Sequence, residues 1–231
     1  MYGNPYRPER LPQAAERTIS QESLRAALAI ARSVHETNQA HQQTEPTTQD
    51  ERWELNVQLR LAETNALYAW AEGNKLLLDA DDFTREWLAF GEIEGGEHQV
   101  YQKDGWFFKR NNMAYHSNYL EYLHRMVLHN YLFAETAVQF EGLMWYDDTL
   151  QPVIRQKALL GVRGATRAEV TVEMHLRGFS RRAADNYYSL ALGLLVEDLH
   201  DENVLVDADG DLLIFDPVIY IAKPEINFPT E

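Results

Sequence analysis

With 231 residues, 45% of them hydrophobic, the chain is long enough to bury one substantial core, and its size suits one domain with an extension or two small domains. A balance of 36 acidic against 21 basic side chains leaves a net charge of −15, which repels a phosphate backbone and excludes nucleic acid as an expected direct partner. The chain contains no cysteine, which rules out disulfides, thiolate zinc sites and cysteine nucleophiles.

In chain order, the start is polar and rich in proline and arginine, without the apolar run of about 7 to 15 residues that a secretory signal needs, so residues 1–13 read as a mobile tail. Leu24, Ala27, Leu28, Ala31 and Val34 recur at helical spacing, with Ser20 as the expected cap. Polar residues His35 to Arg52 read as a linker. A second helix is expected from Trp53 to Glu72, with Leu55, Leu59, Ala62, Ala66 and Trp70 on one stripe. The pair reads as a helical hairpin that packs on the main domain as scaffold, with a protein-partner role as the alternative. From Phe90 the texture changes to short apolar or alternating runs punctuated by Gly-Gly and Asp-Gly, which predicts strands to about Lys109. A helix over Ser117 to Leu132 follows, then strands at Ala137 to Met144 and Val153 to Gln156. Thr166 and Glu169 form a capping-box signal for a helix to Leu176. A further helix is expected from Ser180 to Leu192, and two strands, Asn203 to Val206 and Asp211 to Phe215, close the pattern. The longest apolar run, Leu190 to Val196, is far short of the roughly 20 residues that span a bilayer, so a soluble, cytoplasmic protein without a membrane partner is expected.

The chemistry concentrates near the C-terminal end. If Asp209-Gly210 is a two-residue turn, Asn203 lies opposite Asp216, and the hairpin delivers an amide and a carboxylate oxygen to one end. Magnesium prefers such oxygen ligands and completes its shell with water and substrate phosphates, so the pair suits a nucleotide-bound Mg²⁺. Asp198 precedes Asn203 by five residues, the interval of a kinase catalytic loop. Upstream, Gly95-Gly96 between two short strands would let backbone amides approach phosphates, although it equally makes an ordinary hairpin turn. With Asp104-Gly105 as a second two-residue turn, Val100 pairs with Lys109 and shares its face.

The run Asp198-Leu199-His200-Asp201-Glu202-Asn203, with Asp216 in Leu213-Ile214-Phe215-Asp216-Pro217, resembles the protein-kinase-like phosphotransferase superfamily. In the Asp-Leu-His-x-x-Asn form it is closer to small-molecule phosphotransferases than to ordinary protein kinases, and the whole resembles the polyvalent-protein kinase domains of bacterial mobile elements and phages. The resemblance implies an α+β fold: a reduced two-lobe kinase-like domain over 81–231, with a small lobe to about 155, a hinge at about 156–160 and a reduced large lobe over 161–231. Residues 1–80 form an N-terminal helical extension.

The cofactors so implied are ATP and Mg²⁺. Asp198 is the implied catalytic residue, Asn203 and Asp216 the metal ligands, and Lys109 the phosphate-binding lysine. Glu121 is the implied partner of Lys109, with a helix cap as its competing role and Glu135 in reserve. Gly95, Gly96, Val100 and the backbone of Gln156 to Ala158 are the implied nucleotide contacts. Val196-Glu197 replaces the His-Arg of protein kinases and Pro217-Val218 the Phe-Gly. The acceptor is a hydroxyl of a protein or of a small molecule. A nucleotide-binding pseudokinase, a nucleotidyl transferase and a regulatory interaction module are the rival readings. His116, His124 and His129 lack zinc spacing, and Trp145-Tyr146 and Tyr187-Tyr188 read as packing.

Overall fold

The computed structural model describes residues 14–41, 48–87, 92–94, 98–159 and 161–221. Five α-helices and thirteen strands alternate among them: α1 (Ala14–His41), α2 (Gln49–Gly73), β1 (Leu77–Leu78), α3 (Ala80–Trp87), β2 (Glu92–Glu94), β3 (His98–Lys103), β4 (Trp106–Asn111), α4 (Tyr119–Leu132), β5 (Val138–Tyr146), β6 (Thr149–Lys157), β7 (Arg163–Gly164), α5 (Arg167–Leu176), β8 (Ser180–Ala183), β9 (Asn186–Ser189), β10 (Leu194–Glu197), β11 (Val204–Val206), β12 (Leu212–Ile214) and β13 (Val218–Ile221). The strands form a six-stranded sheet in the order β1-β5-β6-β4-β3-β2, a four-stranded sheet β13-β10-β9-β8 and a three-stranded sheet β12-β11-β7. The chain divides into two compact units. One comprises the described residues up to Tyr101 with Phe108–Leu123 and Gln139–Arg155, and the other comprises Gln102–Phe107, His124–Val138 and the described residues from Gln156 on.

In the first unit, α1 buries Leu24, Ala27, Leu28 and Ala31, the stripe expected from its periodicity, and α2 buries Leu67 and Ala71. The two helices pack together. Against β5, Trp70 tilts onto Phe140 and Tyr68 meets Trp145 edge-on, the ring centroids 6.4 and 6.2 Å apart. Two expectations are corrected here. Ser20 is not a cap; it lies within α1, buried, and donates its hydroxyl to the Phe140 carbonyl at 3.1 Å. The linker expected over His35 to Arg52 is largely helix, because α1 continues to His41 and α2 already starts at Gln49 under a Thr48/Glu51 capping box. Polarity over 35–40 and 49–52 marks solvated helix faces, and 42–47 lie outside the described residues. Gly142 is obligatory: at φ 151° a Cβ would lie 2.2 Å from the Leu76 carbonyl oxygen, which accepts the Leu143 amide where β1 runs parallel to β5.

In the second unit, one core gathers Leu132, Phe133, Val170, Met174, Phe179, Tyr187, Val196, Leu199, Val204, Ile214 and Ile219 from α4, α5 and both small sheets. Each such aliphatic side chain contributes about 1.5–3 kcal/mol when fully buried. The capping box predicted at α5 is present, with Thr166 accepting the Glu169 amide and Glu169 accepting the Thr166 amide. The helix expected over Ser180 to Leu192 is instead the β8–β9 hairpin. Local sequence there suits helix, but β10 offers β9 a ladder in which Tyr187 pairs with Val196 and Tyr188 with Leu195, and that pairing buries both tyrosines. Tertiary pairing overrides propensity.

Candidate active site

The segment that resembles a catalytic loop leaves the end of β10. Asp198 adopts φ +67°, a left-handed conformation that a non-glycine residue holds only when its surroundings determine it. Those surroundings are specific. Leu199 next to it is buried in the core, its amide donates to the Asp185 carbonyl at 3.2 Å, and the amides of Asn203 and Val204 both return to the His200 carbonyl at 3.0 Å. The exposed Asp198 side chain is therefore aimed by a closed backbone loop anchored at a core leucine.

Three side chains meet within that loop. Asn203 donates Nδ2 to the Asp198 carbonyl and to its Oδ2, each at 3.0 Å. His200 Nδ1 accepts the Glu202 amide at 3.2 Å, and its Nε2 lies 3.3 Å from both Asp198 Oδ1 and Asn203 Nδ2. Asp198 Oδ2 thus has a hydrogen-bond donor, and Oδ1 has an imidazole nitrogen 3.3 Å away. With Nδ2 of Asn203 so committed, its Oδ1 is the atom suited to a hard cation. Gly164 packs behind the loop, where a Cβ would come within 2.8 Å of the Asp201 carbonyl oxygen, so only glycine fits.

Two registers bring Asp216 to the same corner. In the β11–β12 ribbon Val204 pairs with Ile214, which puts Asn203 opposite Phe215 rather than opposite Asp216 as expected, and the Phe215 amide donates to the Asn203 carbonyl at 3.2 Å. The turn is longer by a residue than a two-residue Asp209-Gly210 corner. Asp207 accounts for this: its Oδ1 accepts the amides of Asp209 and Asp211, both at 2.9 Å, and its carbonyl accepts Gly210 N–H at 3.3 Å. A short polar side chain competing for backbone donors reshapes the turn. In the four-stranded sheet the register ends with Glu197, one residue before Asp198, opposite Val218, two residues after Asp216. The end of β10, the start of β11, the end of β12 and the start of β13 therefore form one corner carrying Asp198, Asn203 and Asp216.

Buried Gln156 braces this corner. Its Nε2 donates to the Thr136 carbonyl at 2.6 Å and to the Phe215 carbonyl at 3.2 Å, while the Thr136 hydroxyl donates to the Ile214 carbonyl. The sequence directed attention to the backbone of Gln156; its side chain fixes the peptide that precedes Asp216. The amide of Ala158, another expected nucleotide contact, donates to the Gly105 carbonyl at 2.8 Å, which leaves its carbonyl as the group to offer a ligand.

In the first unit, Lys109 lies in β4 and is buried, at 8% exposure, between buried Phe108 and Arg110. Val100 is half-buried in β3, paired with Ile93 of β2. The β3–β4 turn has φ +50° at Asp104 and +78° at Gly105, the signature of the expected two-residue type I′ hairpin. Gly95 and Gly96 lie outside the described residues. Glu121 takes the helix-capping role weighed for it: its carboxylate accepts the Ser117 amide at 3.1 Å and its amide donates to Asn118 Oδ1 at 2.8 Å. Glu135 is ion-paired with Arg177 at 2.7 Å in the second unit.

Sequence reasoning missed Glu63. Fully buried in α2, it accepts the amides of Tyr119 and Leu120 at 3.0 Å each, capping α4 from another helix, and bonds His35 Nε2 of α1 at 2.9 Å. Burial raises its carboxyl above the ordinary 4.5, against the pull of the two amides and His35. The only signal in the sequence is a glutamate on an otherwise buried helical position.

Fold and corner together define a kinase-like α+β domain with an N-terminal helical extension. Residues 60–223 match the family of serine/threonine/tyrosine kinases found in polyvalent proteins, well over half of the chain, and the chain belongs to that family. The match begins inside α2, so it takes in Glu63. No curated protein matches the chain. Among the described residues no helix is long and apolar enough to cross a membrane.

Proposed function

We propose that the chain is an ATP- and Mg²⁺-dependent phosphotransferase that moves the γ-phosphoryl group of ATP to a hydroxyl acceptor. The observation that carries the reading is the Asp198 carboxylate, exposed yet fixed by a hydrogen bond from Asn203 with His200 Nε2 3.3 Å away, at a corner to which the chain also delivers Asp216. A general base must be accessible to the acceptor and fixed in orientation before it arrives, and this one is both.

In this reading Asp198 orients the acceptor hydroxyl and takes its proton as the oxygen bonds the γ-phosphorus and the bond to the β-phosphate oxygen breaks, leaving ADP. Asn203 Oδ1 and Asp216 are oxygen donors of the kind magnesium takes, and they are the residues that would hold it. Bound Mg²⁺ supplies neutralisation of the phosphate charge. Lys109 fixes the nucleotide phosphates, Val100 covers the base, and Gly95, Gly96 and the backbone from Gln156 to Ala158 complete the nucleotide contacts. Glu121 keeps α4 capped and is the residue assigned to Lys109.

The test is phosphoryl transfer from labelled ATP with Mg²⁺ by the wild-type chain and by Asp198→Ala, across protein and small-molecule acceptors. The variant should lose about 10²- to 10⁴-fold in kcat. Equal turnover by the two would remove the assignment.

A further inference from the structure

The β8–β9 hairpin is tied to the loop that carries Asp198. The Asp185 carbonyl at its tip accepts the Leu199 amide at 3.2 Å, Asn186 Nδ2 donates to Glu197 Oε1 at 3.1 Å, and Arg167 of α5 pins the Asp185 carboxylate at 3.0 Å. Whatever β8 exposes is thereby held in fixed relation to Asp198.

What it exposes is positive charge. Residues 161–221 contain eleven acidic side chains and five arginines, with no lysine. Arg163 pairs with Glu169, Arg167 with Asp185, and Arg177 with both Glu173 and Glu135. Arg181 and Arg182, by contrast, are exposed and have no carboxylate partner among the described residues. Arg181 is steadied by donating Nε to the Ala184 carbonyl at 2.9 Å. Arg182 is the extra residue of a β-bulge: Arg181 pairs with Tyr187 and Ala183 with Asn186, so two steps on β8 match one on β9. Bulges at sheet edges re-aim side chains and blunt the edge against strand addition, so a partner meets this strand through its arginines rather than through a backbone ladder.

We infer that Arg181 and Arg182 form an acceptor-docking surface for a short acidic peptide, so that the hydroxyl acceptor is a serine or threonine with acidic neighbours. The inference rests on the phosphotransferase reading and names its substrate class. A guanidinium matches a carboxylate bidentately. Two arginines in a chain of net charge −15 suit a few carboxylates and not a long polyanion, which favours peptide over nucleic acid. In the sheet β8 is two strands from β10, about 10 Å at the usual strand spacing, which an extended peptide covers in about three residues. The acidic positions should therefore lie about three residues from the acceptor.

The experiment measures two things on the full chain: phosphoryl transfer to serine peptides with acidic, neutral or basic residues at that spacing, and fluorescence-anisotropy binding of the same peptides and of an oligonucleotide of equal charge. Wild type should favour the acidic peptide about tenfold or more in both kcat/KM and affinity, with affinity falling as salt rises. Arg181→Glu/Arg182→Glu, folded by circular dichroism, should invert the preference toward the basic peptide. Arg181→Lys/Arg182→Lys should keep its direction and lose part of its size. Transfer without preference among the peptides would overturn the inference and leave the phosphotransferase reading intact. Acidic-peptide binding that inverts with charge but is never followed by transfer would keep the docking surface and remove the phosphotransferase reading. Binding unaffected by either double substitution, or equal for the oligonucleotide, would overturn the inference.

Discussion

Asn203 donates its side-chain amide to both the carbonyl and the carboxylate of Asp198, 3.0 Å in each case, and so couples the proposed base to the proposed metal ligand. The five-residue interval between them is the arc of a closed loop, with His200 Nε2 inside it 3.3 Å from the carboxylate and from Asn203 Nδ2. Substituting any one of the three disturbs the others.

Removing His200 should therefore act through Asp198. An exposed ion-pair contact contributes about 0–1 kcal/mol, so His200→Ala is expected to lower kcat by up to about fivefold while leaving KM for ATP nearly constant. Asn203→Ala should lose more, and its need for Mg²⁺ should rise as well, because it removes both the donor to Asp198 and the proposed oxygen ligand. A Mg²⁺ titration of kcat for the two variants separates the effects.

Gly164→Ala tests the loop without touching the chemistry. The added Cβ would lie 2.8 Å from the Asp201 carbonyl oxygen and 2.9 Å from its Cβ, so the loop must shift. A loss of about 1–3 kcal/mol in urea denaturation is expected, with kcat falling alongside. Unchanged stability and kcat would show that the loop yields freely.

Glu63 makes a prediction with a sign. Its folded carboxyl titrates above the ordinary 4.5, chiefly through burial. The folded state then binds the proton more tightly than the unfolded chain, and the group's contribution to stability declines as pH rises from about 4.5 through the folded value. Glu63→Gln should flatten that part of the stability curve. Glu63→Ala strands the Tyr119 and Leu120 amides and the His35 ring, and should cost about 3 kcal/mol or more at neutral pH. Denaturation midpoints between about pH 4.5 and 7.5 decide both.

Glu169 has the opposite sign. The Arg163 guanidinium, followed by the amide and hydroxyl of Thr166, holds its carboxyl down to about 2 from 4.5. Its stabilisation of the start of α5 is present above the unfolded value and disappears as pH falls from about 4.5 toward 2. Glu169→Gln should remove that acid limb from the curve of Tm against pH, and a scan of wild type and variant over the same range checks it.

The features legible in the sequence were the local ones. The α1 stripe at Leu24, Ala27, Leu28 and Ala31, the Thr166/Glu169 capping box, the Asp104-Gly105 turn and the loop from Asp198 to Asn203 each lie within a few residues of chain, where spacing and turn chemistry govern. The fold class followed from the resemblance those loop residues carry. Features misread or missed had distant partners. Ser20 reaches Phe140, Glu63 reaches Tyr119 and Leu120, and the 180–189 segment became a hairpin because β10 was there to pair with it. The corner's register was lost by one residue to the Asp207 carboxylate, a competition for backbone donors that pattern counting does not weigh.

By itself the sequence determined that an Asp, a His and an Asn within six positions close into one loop, because contacts of short range in the chain suffice to bring them together. The tertiary structure decided how that loop is held and what stands beside it. It buried Leu199, set Glu197 across from Val218, ran Gln156 into the peptide before Asp216 and placed an unneutralised arginine pair on the neighbouring hairpin. Each of these requires residues far apart in the chain to meet, and the free energy that selects such meetings comes from the shared core and not from any single segment.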